Sequence, residues 1–191
     1  MGYPRKYVGH YPWLVTALKN QGHAVYPMEM SAQPVFVKTG ENYRDRHYLY
    51  GFVDVVSYFN GKLYAWEWKS EKDDPVRGIK QIENYARSFD FVSLVVQNLN
   101  TLDRVIKKKG LRVSTILKEM GAGAYWFDED ELKLIEEPKQ QTPNVHLYDE
   151  LLARFMRNVF PNEHAKIQRK LKSIEEREKF QKQHRLLTEF Q

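Results

Sequence analysis

The sequence predicts a mixed α/β fold, an α+β arrangement in which one mixed sheet carries helices on both faces. Three observations lead there. An Asn60-Gly61 turn joins two runs rich in β-branched and aromatic residues, Tyr48 to Phe59 and Lys62 to Lys69. A short apolar run, Phe91 to Gln97, has the character of a strand buried on both faces. Segments of helical periodicity stand before, between and after these strands.

Tyr7 to Gln21 reads as the first helix, because Val8, Tyr11, Leu14, Val15 and Leu18 recur at helical spacing and Gly22 stops it. Pro12 suits a first helical turn better than an interior, so a start near Pro12 is the alternative. His23 to Met30 follows as a strand that Pro27 interrupts. Ser31 to His47 is polar, a loop or a ragged hairpin around Val35-Phe36-Val37. After the Asn-Gly hairpin, Asp74 is placed as cap and Pro75 as first residue of a helix reaching about Ser88. The strand Phe91 to Gln97 comes next, then helices at Leu102 to Lys109 and Val113 to Met120. Ala124 to Phe127 and Leu132 to Ile135 flank an acidic turn and are expected to pair at a sheet edge. Pro138 to Pro143 reads as a linker, and Tyr148 to Phe160 and Glu163 to about Leu187 as terminal helices. The expected division is a domain over 1–137 and a helical extension over 144–191, packed on the domain or pairing two subunits as a homodimer.

Composition narrows the function. With 42% hydrophobic and 29% charged residues, the 191-residue chain can form both a packed core and a charged surface, which excludes a disordered chain. There is no cysteine, so disulfides, thiolate metal sites and a cysteine nucleophile are excluded. No stretch approaches the roughly 18 apolar residues of a membrane span. The Met-Gly-Tyr-Pro-Arg-Lys start lacks the features of a secretory signal, so a cytoplasmic protein without a membrane partner is expected. The net charge of +5 points weakly towards a polyanion.

The chemistry concentrates on the hairpin. Strand alternation puts Glu67 and Lys69 on one face and Trp66 and Trp68, as core anchors, on the other. An isolated Glu-x-Lys is ordinarily a cross-strand ion pair. Here the turn also folds Asp54 back beside Glu67, and the two carboxylates can share one divalent ion through hard oxygens, with the Trp68 carbonyl as a further donor. Gln81 and Tyr85 lie four residues apart on the following helix and so face the same way.

Gly51-Phe-Val-Asp54 followed by Ala65-Trp-Glu67-Trp-Lys69 resembles the signature of the PD-(D/E)XK nuclease superfamily. Gln81-Ile-Glu-Asn-Tyr85 is similar to the Gln-x-x-x-Tyr motif of its RecB-like branch. The resemblance spans about Tyr7 to Asn98 and implies a restriction-endonuclease-like core of helix, strand, hairpin, helix and strand. It departs from the family pattern at Val53, where the namesake proline would stand, and in the first helix, which has no acid between Arg5 and Gly22. The resemblance implies that His10, in the first helix, can join the metal, with an exposed helix-start residue the ordinary alternative; Glu29, at the end of the first strand, is the other candidate ligand, or else a surface acid. The resemblance implies metal-dependent hydrolysis of phosphodiesters in DNA, with RNA left open. Asp54 and Glu67 would hold Mg2+ or Mn2+, and Lys69 would orient the attacking water. Gln81 and Tyr85 would bond the nucleic-acid backbone or steady the site.

Lys38, Arg44 and Arg46 in the polar loop, and Lys166, Arg169, Lys170 and Lys172 in the tail, are candidate phosphate contacts. The tail cations are interleaved with Glu, as on a solvated helix face. A non-catalytic nucleic-acid-binding module on the same fold is the alternative function. An assembly role is a third reading, but the stripe Ile167, Leu171 and Ile174 fades at Glu178.

Overall fold

The computed structural model describes residues 11–26, 30–31, 52–128, 131–166, 168–169 and 172–173. The chain divides into two compact units at Leu152 and Ala153. The first is a mixed α/β unit. Among the described residues its principal sheet has six strands. These are β1 (Ala24–Val25), β4 (Val55–Phe59), β5 (Lys62–Lys69), β6 (Phe91–Val96), β9 (Gly123–Asp128) and β10 (Glu131–Glu136). β1, β4 and β5 are antiparallel neighbours, β5, β6 and β9 run parallel, and β10 returns antiparallel as an edge. β2 (Met30–Ser31) and β3 (Phe52–Val53) pair in a separate two-stranded sheet.

The hairpin forms as the sequence requires. Asn60 and Gly61 both take positive φ, 48° and 79°, the geometry that matches the twist of the two strands they join. The expected continuous strand from Tyr48 to Phe59 is instead broken at Asp54, where the chain leaves β2 and takes up β1 and β5 as partners.

The first helix, α1 (Pro12–Asn20), begins at its proline. It ends in a Schellman turn: His23 N–H reaches Leu18 O, Gly22 N–H reaches Lys19 O, and Gly22 supplies a φ of +86°. Leu14 and Leu18 of α1 are buried against Val55, Trp66 and Val95, with Trp13, Trp68 and Phe127 around them. The opposite face is covered by α2 (Pro75–Tyr85) and α4 (Val113–Glu119). Asp74 caps α2 by accepting from Val76 N–H at 2.9 Å. Strand alternation therefore separates two chemistries: the tryptophans face α1, and Glu67 and Lys69 face α2.

One expected helix is absent. Leu102 to Lys109 contains only the end of a four-residue helix, α3 (Asn100–Asp103), followed by a hairpin of β7 (Val105–Ile106) and β8 (Leu111–Arg112). The β-branched pair and Gly110, with φ +64°, override the helical spacing of Leu102 and Ile106. The segment read as a linker is tied down: Lys139 N–H bonds Gly121 O, Gln141 N–H bonds Asp90 O and Asn144 N–H bonds Arg87 O. It leads into α5 (Val145–Val159), whose start is capped by the Asn144 side chain. The second unit holds the end of α5 and the helical residues 161–166. Among the described residues, no helix is long and apolar enough to cross a membrane.

Candidate active site

Asp54 sits in the bend between β3 and β4. Val53 and Val55 on either side are fully buried, which fixes the backbone while the bend releases the acid from the strand's alternation. The register pairs Val55 with Trp66, so one step further sets Asp54 across from Glu67. Asp54 Oδ2 accepts from the Trp68 N–H at 2.9 Å, and Oδ1 accepts from the Tyr11 hydroxyl at 3.0 Å. In a strand, the N–H and C=O of one residue leave on the same side. The Trp68 carbonyl therefore points to the edge where Asp54 lies, and the Lys69 carbonyl, which accepts from Gln97 N–H, points to the other.

Glu67 is 1% exposed and Lys69 6%. The Lys69 ammonium donates to Glu67 Oε1 at 2.6 Å. The other oxygen, Oε2, lies 2.8 Å from the Tyr85 hydroxyl, which is also 2.8 Å from the Phe52 carbonyl. Gln81 Nε2 donates to the same hydroxyl at 3.3 Å. A phenol has one proton and cannot serve both acceptors. A proton on Glu67 Oε2 satisfies all of them: the carboxyl donates to Tyr85, and Tyr85 donates to Phe52. Electrostatics agree. Burial first, and the negative charge of Asp54 second, push the Glu67 carboxyl up to about 8, against the opposing pull of Lys69 and Tyr85.

α2 makes room for the lysine with Gly78. A β-carbon there would lie 3.0 Å from Lys69 Cε and 3.3 Å from Leu94 Cδ1. Glycine inside a helix is unfavourable by about 1 kcal/mol relative to alanine, and here it admits the stem of a buried cation.

Among the described residues the cluster brings together two carboxylates and one ammonium. Its donors are hard oxygens: Asp54, Glu67 and the inward edge of the Trp68 backbone. Gln81 Oε1 is buried and, among the described residues, has no hydrogen-bond partner, which leaves an acceptor beside the group. This donor set fits Mg2+ or Mn2+. Among the described residues no three of His, Asp and Glu gather in one place.

Residues 49–188 match the family model described as Bacteriophage P4 protein cII, nearly three quarters of the chain. The chain belongs to the bacteriophage P4 cII family. A solved structure of the SPO1766 protein of unknown function from Silicibacter pomeroyi is similar at 14% identity and a TM-score of 0.48, covering 93% of this chain and 94% of that one. No curated protein matches.

In this cII-family chain, the matched span takes in Asp54, Glu67, Lys69, Gln81 and Tyr85, whereas Tyr11 and α1 precede it. Five of the residues singled out from the sequence thus come together. His10, Glu29, Lys38, Arg44 and Arg46 lie outside the described residues, as does Lys170. Lys166, Arg169 and Lys172 belong to the second unit and are exposed. Three contributors went unread in the sequence: Tyr11, the Phe52 carbonyl and Gly78. Of these only Gly78, an interior helix glycine, left a local signal.

Proposed function

We propose that this protein is a metal-dependent nuclease that hydrolyses phosphodiester bonds in DNA. One observation supports the reading above the others: two carboxylates, Asp54 and Glu67, are gathered from neighbouring strands beside a buried ammonium, Lys69. Asp54, Glu67 and the Trp68 carbonyl would hold Mg2+ or Mn2+. When bound, the cation supplies Lewis-acid charge beside the scissile phosphate. Lys69, held by Glu67 and by the space at Gly78, orients the attacking water and offsets negative charge growing on the phosphoryl group. Tyr85 steadies Glu67, and Gln81 offers its Oε1 acceptor to the substrate or to a bound water. Tyr11 and the Trp68 N–H aim the Asp54 carboxylate.

A second reading, a nucleic-acid-binding module without cleavage, is favoured by one observation: each of the four carboxylate oxygens already has a partner within the chain. Cleavage assays on linear, nicked, flap and four-way-junction DNA with Mg2+ or Mn2+ separate the two. The nuclease reading expects metal-dependent cleavage that Lys69→Ala and Asp54→Asn each reduce by roughly two orders of magnitude or more, the scale of losing one electrostatic stabiliser. Undiminished cleavage by purified Lys69→Ala would overturn the assignment.

A further inference from the structure

A basic hairpin is fastened to the outside of this site. Between Arg104 and Arg112 the chain carries Arg104, Lys107, Lys108, Lys109 and Arg112 and no acid. Lys107, Lys108, Lys109 and Gly110 form the turn that joins β7 to β8, and Ile106 is buried beneath it. Two contacts fix the hairpin to the elements that build the site. The Arg104 guanidinium donates to the carbonyls of Glu71, at 3.0 Å, and Asp73, at 3.5 Å, in the loop that directly follows Lys69. Lys109 pairs with Glu83 at 3.5 Å, on the helix that carries Gln81 and Tyr85.

The remaining cations are differently placed. Arg112 pairs with Asp103. Lys107 and Lys108 are exposed, and among the described residues neither pairs with a carboxylate. Lys72 is exposed in the same loop that receives Arg104, between Glu71 and Asp73. Adjacent ammonium groups on a tight turn repel one another, and a polyanion relieves that repulsion. The tail cations contrast with these, since interleaved glutamates answer their charge within the chain.

We propose that Lys107 and Lys108 at the hairpin tip, with Lys72, grip the sugar–phosphate backbone of a nucleic acid beside the candidate active site. The proposal deepens the nuclease reading, on which it rests for the identity of the polyanion. Its test is binding, which needs no cleavage. Wild-type protein and the Lys107→Glu/Lys108→Glu double variant are titrated in EDTA against a fluorescent oligonucleotide, duplex and single-stranded, over a series of salt concentrations. Each lost phosphate contact flattens the log–log salt slope by about 0.9 on duplex and about 0.7 on a single strand. The double variant should therefore lose about 1.8 in slope on duplex and about 1.4 on a single strand, and bind at least about tenfold more weakly near 0.1 M salt. A Lys118→Glu/Lys139→Glu variant makes the same change in net charge elsewhere and should keep the wild-type slope. An unchanged slope in the hairpin variant, equal shifts in both variants, or no binding by the wild type would each overturn the proposal. Metal-dependent cleavage with an unaltered slope removes only the hairpin's role; a flattened slope without cleavage removes only the nuclease reading.

Discussion

The buried carboxyl at Glu67 makes stability itself a reporter of the site. Its ordinary value of 4.5 is raised to about 8 in the folded chain, chiefly by burial and then by Asp54. Between those values the folded protein keeps a proton that the unfolded chain has released. The stability this carboxyl contributes is therefore fully present below about 4.5 and falls as pH rises towards 8. The slope approaches 1.4 kcal/mol per pH unit, so on the order of 4 kcal/mol is lost between pH 5 and 8 from this group alone. At 1% exposure, solvent does little to soften the effect. Glu67→Gln keeps the shape of the protonated acid and its donor to Tyr85, but it cannot titrate. Urea unfolding from pH 5 to 9, followed by tryptophan fluorescence, should place the variant close to wild type at pH 5 and well above it at pH 8. The subtraction cancels every other titrating group the two proteins share. Saturating Mg2+ should restore much of the wild-type stability at pH 8 and none of the variant's, since the cation takes the place of the proton. A difference between the two proteins that stays constant across pH would refute the reasoning.

Further expectations follow from the same geometry. Tyr85→Phe strips the Phe52 carbonyl, Glu67 and the Gln81 amide of their shared partner and should destabilise the fold by about 1–3 kcal/mol in chemical denaturation; a change below the error of the titration would count against the network. Gly78→Val forces branched carbon into a space already 3.0 Å from Lys69 and 3.3 Å from Leu94, and should cost about 1–3 kcal/mol by overpacking, with cleavage falling further than stability explains. His23 behaves oppositely to Glu67. Burial lowers its imidazole to about 4 while its Nδ1 meets Ser57 Oγ at 2.9 Å, so the stability it contributes is present above 6.5 and is lost as pH falls towards 4. His23→Phe should therefore flatten the acid limb of the stability profile, by about 1 kcal/mol once its partial exposure is allowed for; an acid limb identical to wild type would rule this out.

The parts of the molecule that were legible in the sequence are those set by local chemistry. Asn60-Gly61 dictated its turn, Asp74-Pro75 its helix start, and two-residue alternation sorted Glu67 and Lys69 from Trp66 and Trp68. What escaped was decided by partners distant in the chain. Nothing local to Tyr11 announces a bond to a residue 43 positions away. The break at Asp54 arises because two different sheets claim the same strand, which no alternation pattern can express. The hairpin at Val105 to Arg112 was hidden by a spacing that suits a helix as well as a turn of basic residues, until Gly110 is given its full weight as punctuation.

The partner switch at Asp54 also bears on when the molecule becomes competent. Tyr11, Phe52, Asp54, Glu67 and Tyr85 converge only after α1 has docked, two separate ladders have closed around one bend, and α2 has settled over the hairpin. Contacts so widely separated in sequence carry a large loop-closure cost and slow folding. A nascent or partly denatured chain therefore holds scattered acids, and the grouping of Asp54, Glu67 and Lys69 exists only once these elements have come together.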